Sequence, residues 1–372
     1  MRGRQPGRAA LVGIAFGLAT FVGPGSTGDG ASAQESDDRY RLVENWPRYP
    51  SNAEFEMGTG IAVDARGVVY AISRDVDHWA NHPLAMTRYR GKGSIWMFDR
   101  DGAFLGKFAE DQAFIGPHSI YVDGDGFIWV VDRDGHQVKK LTPDGTPVLT
   151  LGEYGTYGDD PSHFNGPTGV AILPSGDIVI SDGYWNSRLV WFDKGGTFLK
   201  QVGEYGNGPG QLGVVHAVAI DARGRLLVAN VCGGALHPYV TVTRQIADER
   251  LRPIPGCRSR FDVFGQDGSY EGPWSVVEGA LTLSIAAYGD RIYAGTTGAE
   301  RGRQDVVIVD AETDREIDRI ESANVYVHQM AFDPSTGDIF VASVYPEHGG
   351  WARGPAGPSF VRWTRNREVE GR

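Results

Sequence analysis

The sequence is short of positive charge and of long apolar runs. Its 372 residues carry 36 Lys and Arg against 47 Asp and Glu, a formal charge of −11, so it lacks the basic footprint that nucleic-acid and anionic-membrane binders need. No apolar stretch approaches the roughly 20 residues of a bilayer-spanning helix. Also missing are the strict glycine period of a collagen and the low hydrophobicity of a disordered chain. What is present is a 41% hydrophobic fraction, ample for a packed core, and 52 Gly beside 16 Phe, 15 Tyr and 9 Trp. So much glycine among so many aromatics indicates short strands and tight turns.

Residues 1–33 read as a cleavable signal peptide. Arg2, Arg4 and Arg8 precede an apolar stretch from Ala9 to Val22, and Ala31-Ser32-Ala33 offers a small-residue cleavage site. The stretch is short for a membrane anchor and is interrupted by Gly13 and Gly17. The expected product is soluble, monomeric, and secreted or periplasmic. Export places the two cysteines, Cys232 and Cys257, in an oxidising compartment, and they enclose a segment with no strong strand pattern. A disulfide between them is expected, with two free thiols as the alternative.

Internal repetition decides the fold. The segment PHSIYVDGDGFIWVVDRDGHQVKKLTPDGTPVLTLGEYG (117–155) recurs as PTGVAILPSGDIVISDGYWNSRLVWFDKGGTFLKQVGEYG (167–206). Each copy reads as four strands, the first two joined by a D-x-x-G or P-S-G turn. Equivalent turn residues are Asp64, Asp123, Leu173, Asp221, Tyr288 and Asp333, at spacings of 59, 50, 48, 67 and 45 residues. Six such units suit the blades of an all-β, six-bladed β-propeller. The sixth stops after its third strand, SFVRWTR (359–365), whereas YRLVENW (40–46) is an unattached strand near the other end. Pairing these two ends would close the ring and remove its open edge. A single domain over 34–372, with its core at about 38–368, is expected; a seven-bladed ring or an open sandwich is the alternative.

The first strand of each blade lines the central channel. Five positions before the turn stand Thr59, His118, Thr168, His216, Leu283 and His328, so histidine recurs in blades two, four and six. Six-fold quasi-symmetry would set these imidazoles about 120° apart around one axis, which suits a tetrahedral metal with one open position. Three neutral imidazoles without carboxylate or thiolate suit zinc best, although copper, nickel and iron also accept them. The alternative is that each histidine merely hydrogen-bonds a neighbouring backbone group. The remaining histidines, 78, 82, 136, 163, 237 and 348, share no register. Arg74 ends the second strand of blade one, in AISRDVDHW, and Tyr184 follows that of blade three, in ISDGYWNSR, so both can point over the channel mouth. An Arg holds a carboxylate, and a phenol moves a proton where nearby cations favour it. The bland alternative pairs Arg74 with Asp75 or Asp77 and packs Tyr184 on its neighbours.

These residues give the chain a family likeness. It resembles the NHL-repeat propellers, and among them the peptidyl-α-hydroxyglycine α-amidating lyases, over nearly the whole mature chain and most specifically in HFNGPTGVAILPSGDIVISDGYWNSRLVWFDKGGTFLKQVGEYGNGPGQLGVVHAVAID (163–221). The resemblance implies a catalytic zinc on His118 in GPHSIYVD, His216 in VVHAVAID and His328 in YVHQMAFD. It implies that Arg74 holds an α-hydroxyglycine and that Tyr184 takes the hydroxyl proton, releasing glyoxylate and a peptide amide. It also implies a structural calcium held by the backbone carbonyls of Ile61 and Ile120 and by an Asp, for which this chain has Gln329, a weaker ligand for a hard cation.

The sequence departs from that family elsewhere. Tyr326 and Val327 replace a Met and a Pro before the third histidine, and Asn165 and Trp185 stand where the family has cysteines. No copper monooxygenase segment is present to make an α-hydroxyglycine, which widens the expected substrate to other N-acyl hemiaminals and ureidoglycolate-like compounds. Two other functions compete with the lyase. One is a non-catalytic NHL-repeat propeller that binds a protein, peptide or glycan. The other is a lactonase resembling gluconolactonases, which needs channel carboxylates around calcium where this register offers Thr, His and Leu.

Overall fold

The structure, a computed structural model, describes residues 39–51, 57–74, 94–232, 256–277, 281–297, 304–322, 325–343 and 359–366. The proposed signal peptide lies outside these residues. Every regular element among them is a strand, and none is a helix long and apolar enough to cross a membrane. Six four-stranded antiparallel sheets follow one another along the chain. Blade one holds β2 (Met57–Val63), β3 (Val69–Arg74), β4 (Ser94–Phe98) and β5 (Phe104–Phe108). Blade two holds β6 (Pro117–Val122), β7 (Ile128–Asp132), β8 (Gln137–Leu141) and β9 (Pro147–Leu151). Blade three has β10 (Pro167–Ile172), β11 (Ile178–Asp182), β12 (Arg188–Phe192) and β13 (Phe198–Val202). Blade four has β14 (Val214–Ile220), β15 (Leu226–Val231), β16 (Arg260–Phe264) and β17 (Tyr270–Trp274). Blade five has β18 (Leu281–Tyr288), β19 (Arg291–Thr297), β20 (Gln304–Asp310) and β21 (Arg315–Ser322).

The sixth sheet joins the two ends of the chain. Its β22 (Val327–Phe332), β23 (Ile339–Ser343) and β24 (Phe360–Arg365) are completed by β1 (Tyr40–Leu42), with Tyr40 opposite Arg365 and Leu42 opposite Trp363. The inner strand β22 then packs against β2, which closes the ring. Each sheet leaves no unpaired inner face, because six apolar clusters fill the gaps between neighbouring blades. Tyr70, Phe108, Ile120 and Leu141 belong to the cluster between blades one and two. Trp46, Phe98, Phe340 and Phe360 belong to the one that seals blade six to blade one. Each such side chain, fully buried, contributes roughly 1.5–3 kcal/mol.

The D-x-x-G turns of blades one, two and four join their first two strands in the same way. Asp64 Oδ1 accepts the backbone N–H groups of Arg66 and Val68, both at 2.9 Å, and Asp123 Oδ1 does the same for Asp125 and Phe127. The fourth residue must then turn left-handed, and Gly67 and Gly126 supply it at φ 82° and 83°. Cys232 and Cys257 form the expected disulfide, with Cα atoms 5.8 Å apart.

Candidate metal centre

In every blade the inner strand carries a β-bulge, and the residue left without a cross-strand partner is the register residue. These are Thr59, His118, Thr168, His216, Leu283 and His328. A bulge re-aims the extra side chain and releases its backbone from the ladder. Both consequences are used here. His118 Nδ1 donates to the Thr168 carbonyl at 2.9 Å, His216 Nδ1 to Leu283 at 2.8 Å and His328 Nδ1 to Thr59 at 2.5 Å. Each histidine is thus held by the bulged residue of the next blade. A carbonyl only accepts, so each Nδ1 bears the hydrogen and each Nε2 keeps its lone pair.

The three rings converge. Their centroids are 4.6–4.9 Å apart, one nitrogen from each lies within 4.8 Å of the others, and all three side chains are buried. Burial pushes His118 and His328 well below the usual imidazole range; His328 and His216 add to the effect on His118, and His216 adds to that on His328. Burial also takes His216 down to about 4, against the opposing hydrogen bond to Leu283. Neutral imidazoles with free Nε2 atoms are metal-ligand donors, and this set fits a zinc ion. A channel of about 1160 Å³ is lined by these histidines and, farther along, by Ala65, Asp123, Asp221 and Pro334.

The structure brings Tyr184 to the same place. Its Oη is 3.4 Å from both His118 Nε2 and His216 Nε2. The Tyr184 backbone N–H donates to the Gly166 carbonyl at 3.1 Å. Gly166, at φ 78°, must lack a Cβ, because one there would overlap the Trp185 ring and sit 2.7 Å from Tyr184 Cβ. Arg74 also lies at this end, 4% exposed, whereas Asp75 and Asp77 fall outside the described residues. Arg74 Nη2 meets Asp134 Oδ2 at 2.8 Å.

Asp134 and its neighbour Arg133 escaped the sequence reading. Arg133 Nε and Nη2 reach the two Asp134 oxygens at 2.6 and 2.9 Å, and its guanidinium carbon lies 4.9 Å from the centre of the Tyr184 ring. Burial lowers Arg74 to about 10, and Arg133 adds to this while Asp134 opposes it. Burial acts on Arg133 the same way, but the Asp134 carboxylate outweighs it and holds Arg133 above the usual guanidinium range. A signal for Arg133 was available: it stands ten residues after Asp123, as Arg74 stands ten after Asp64. Two cations thus share the Asp134 carboxylate beside the histidines, and a second buried carboxylate, Asp132, also acts on Arg74.

The donor set at the expected calcium position does not fit that ion. The Ile120 carbonyl accepts from Gln329 Nε2 at 2.7 Å, and Gln329 Oε1 accepts the Ile61 and Ile120 N–H groups, each at 3.2 Å. Of the histidines outside the register, His136 is buried and accepts the Gly166 N–H at 3.3 Å, and His163 pairs with Asp160 and Glu153 near the surface. Residues 78, 82, 237 and 348 lie outside the described residues.

Comparison with known proteins agrees with this architecture. The NHL repeat model matches residues 114–141 and 164–192. The chain carries NHL repeats. It is 33% identical over 207 residues to the peptidylglycine alpha-amidating monooxygenase of Rattus norvegicus, covering 51% of this chain and 21% of that one. Peptidyl-alpha-hydroxyglycine alpha-amidating lyase 2 of Drosophila melanogaster is 29% identical over 171 residues, 43% of this chain and 41% of the relative. The human NHL repeat-containing protein 3 is 32% identical over 205 residues, 51% and 54% respectively. The aligned regions thus span about half or less of each relative. The resemblance to the amidating lyases holds at about 30% identity. Among solved structures, a gluconolactonase of Xanthomonas campestris superposes with a TM-score of 0.55 at 12% identity, covering 84% of this chain and 87% of that one, a likeness of fold alone.

Proposed function

We propose that this protein is a secreted, zinc-dependent lyase that cleaves the C–N bond of an N-acyl-α-hydroxyglycine or a similar carbinolamide, giving an amide and glyoxylate. The observation that carries the reading is the phenol of Tyr184, 3.4 Å from the Nε2 atoms of two of three converging neutral histidines. His118, His216 and His328 would hold the zinc, which supplies Lewis-acid polarisation of the substrate hydroxyl. Arg74 binds the substrate carboxylate and orients the carbon that bears the hydroxyl. Tyr184, acting as its phenolate, takes the hydroxyl proton; the oxygen electrons form the aldehyde double bond, the C–N bond breaks, and the same proton passes from Tyr184 to the departing amide nitrogen, which restores the phenolate. Arg133, over the face of the same phenol, adds positive charge beside the oxygen that carries the proton.

Elemental analysis and a glyoxylate assay test this together. One zinc per chain is expected in the wild type, with a sharp fall in His216→Ala. Glyoxylate is expected from an N-acyl-α-hydroxyglycine, with a loss of about 10²-fold or more in Tyr184→Phe. A folded wild-type protein that takes up no zinc and releases no glyoxylate refutes the lyase and leaves a binding propeller. Release unchanged in Tyr184→Phe removes that residue as proton acceptor.

A further inference from the structure

The inner strands hold a second irregularity in register. The residue after each bulge is Gly60, Ser119, Gly169, Ala217, Ser284 or Gln329, small in five blades and long in the sixth. Six strands converging on one axis explain the small ones: a Cβ on Gly60 would lie 2.7 Å from Ile72 Cδ1 and 3.1 Å from Ser119 Cα. The space spared by Gly60 and Ser119 is filled from across the ring. The Gln329 side chain, 6% exposed, starts in blade six and meets the backbone of blades one and two. Its Oε1 accepts the N–H groups of Ile61 and Ile120, and its Nε2 donates to the Ile120 carbonyl.

We propose that this carboxamide replaces a divalent cation at the axis, tying the inner strands of three blades together so that the closed ring needs no calcium. The polarity of the surroundings is the reason. Calcium requires oxygens turned inward from every side, but two N–H groups point at this spot and repel a cation. A carboxylate would satisfy those donors yet face the Ile120 carbonyl with like polarity. Only an amide offers an oxygen to the donors and a hydrogen to the carbonyl. A buried group with both ends satisfied stabilises the ring, whereas the same group with one end unsatisfied destabilises it. The inference is independent of the lyase reading, since it concerns the backbone amides of blades one and two and not the imidazoles.

Thermal unfolding of the wild-type protein and of Gln329→Glu, each in excess EGTA and in millimolar calcium chloride, tests it, with zinc content followed separately so that changes at the histidines are told apart. Wild-type Tm is expected to agree within about 1 °C between the two conditions. Gln329→Glu is expected to melt lower than wild type in EGTA and to gain nothing from calcium, because the two backbone N–H groups that repel a cation remain. A wild-type Tm that falls several degrees in EGTA and is restored by calcium overturns the proposal, as does stoichiometric calcium retained by the wild type through gel filtration. A Gln329→Glu variant as stable as wild type in EGTA overturns it too, because the amide N–H group would then hold nothing. If that variant does not fold, the pair of wild-type melts decides alone.

Discussion

Replacing Asp134 by Asn removes a charge and almost no volume from the most heavily charged buried spot near the histidines. The carboxylate is shared by Arg74 at 2.8 Å and by Arg133 at 2.6 and 2.9 Å, and the side chains of all three residues are 6% exposed or less. Breaking a buried pair by deleting one partner costs about 3–5 kcal/mol, because the remaining charge stays desolvated. With the 255 described residues losing roughly 2.1 cal/mol/K each, that cost lowers Tm by roughly 6–9 °C. Arg133→Met is milder, since Asp134 keeps Arg74, and Asp134→Asn combined with Arg133→Met recovers part of the single loss by relieving repulsion between the two guanidiniums. Unfolding of the four proteins followed by circular dichroism measures the cycle. An Asp134→Asn protein within 1 °C of wild type, or one no less stable than Arg133→Met, would refute the view that the Asp134 carboxylate holds both cations in place.

Other outcomes follow from the same structure. His136, buried and outside the metal centre, is pushed down to about 4 by burial, Arg133 adding to the effect and Asp134 opposing it. It therefore contributes full stability above the unfolded value of 6.5 and loses about 3 kcal/mol as the pH falls from there to about 4. His136→Gln should flatten this fall in urea midpoints measured between pH 7.5 and pH 4; an unchanged profile counts against the assignment. Cys232→Ser opens a loop of sequence separation 25 and should cost about 3 kcal/mol, read as a lower Tm under non-reducing conditions and no further change on reduction. A Tm equal to wild type would show that the disulfide constrains nothing.

The fold was legible because its cause is local and repeated. Alternating strands around a tight turn recur six times, three of the turns as D-x-x-G, and the spare strands YRLVENW and SFVRWTR announce how the ring closes. The histidine register was legible for the same reason, although its physical basis was not: nothing in a strand pattern distinguishes a paired residue from a bulged one. For Arg74 the sequence offered only its neighbours Asp75 and Asp77, which lie outside the described residues, and gave no sign of Asp134, which reaches it from the next blade. Arg133 passed unnoticed even though it occupies the same position in blade two as Arg74 in blade one. Gln329 was read as a weak cation ligand, because a sequence does not show that the groups it faces are two N–H donors and one carbonyl.

Taken alone, the order of residues determined the number of blades, the positions of their turns, and which side chains stand at equivalent heights around the axis. Those properties repeat along the chain, so neighbouring residues suffice to specify them. Tertiary structure alone decided which groups from different blades meet: the carbonyls that orient each imidazole, the carboxylate between two arginines, and the amide that bridges three strands. Apart from Arg133 beside Asp134, each of those contacts joins residues far apart in the chain, and closing the ring is what turns equal heights into short distances.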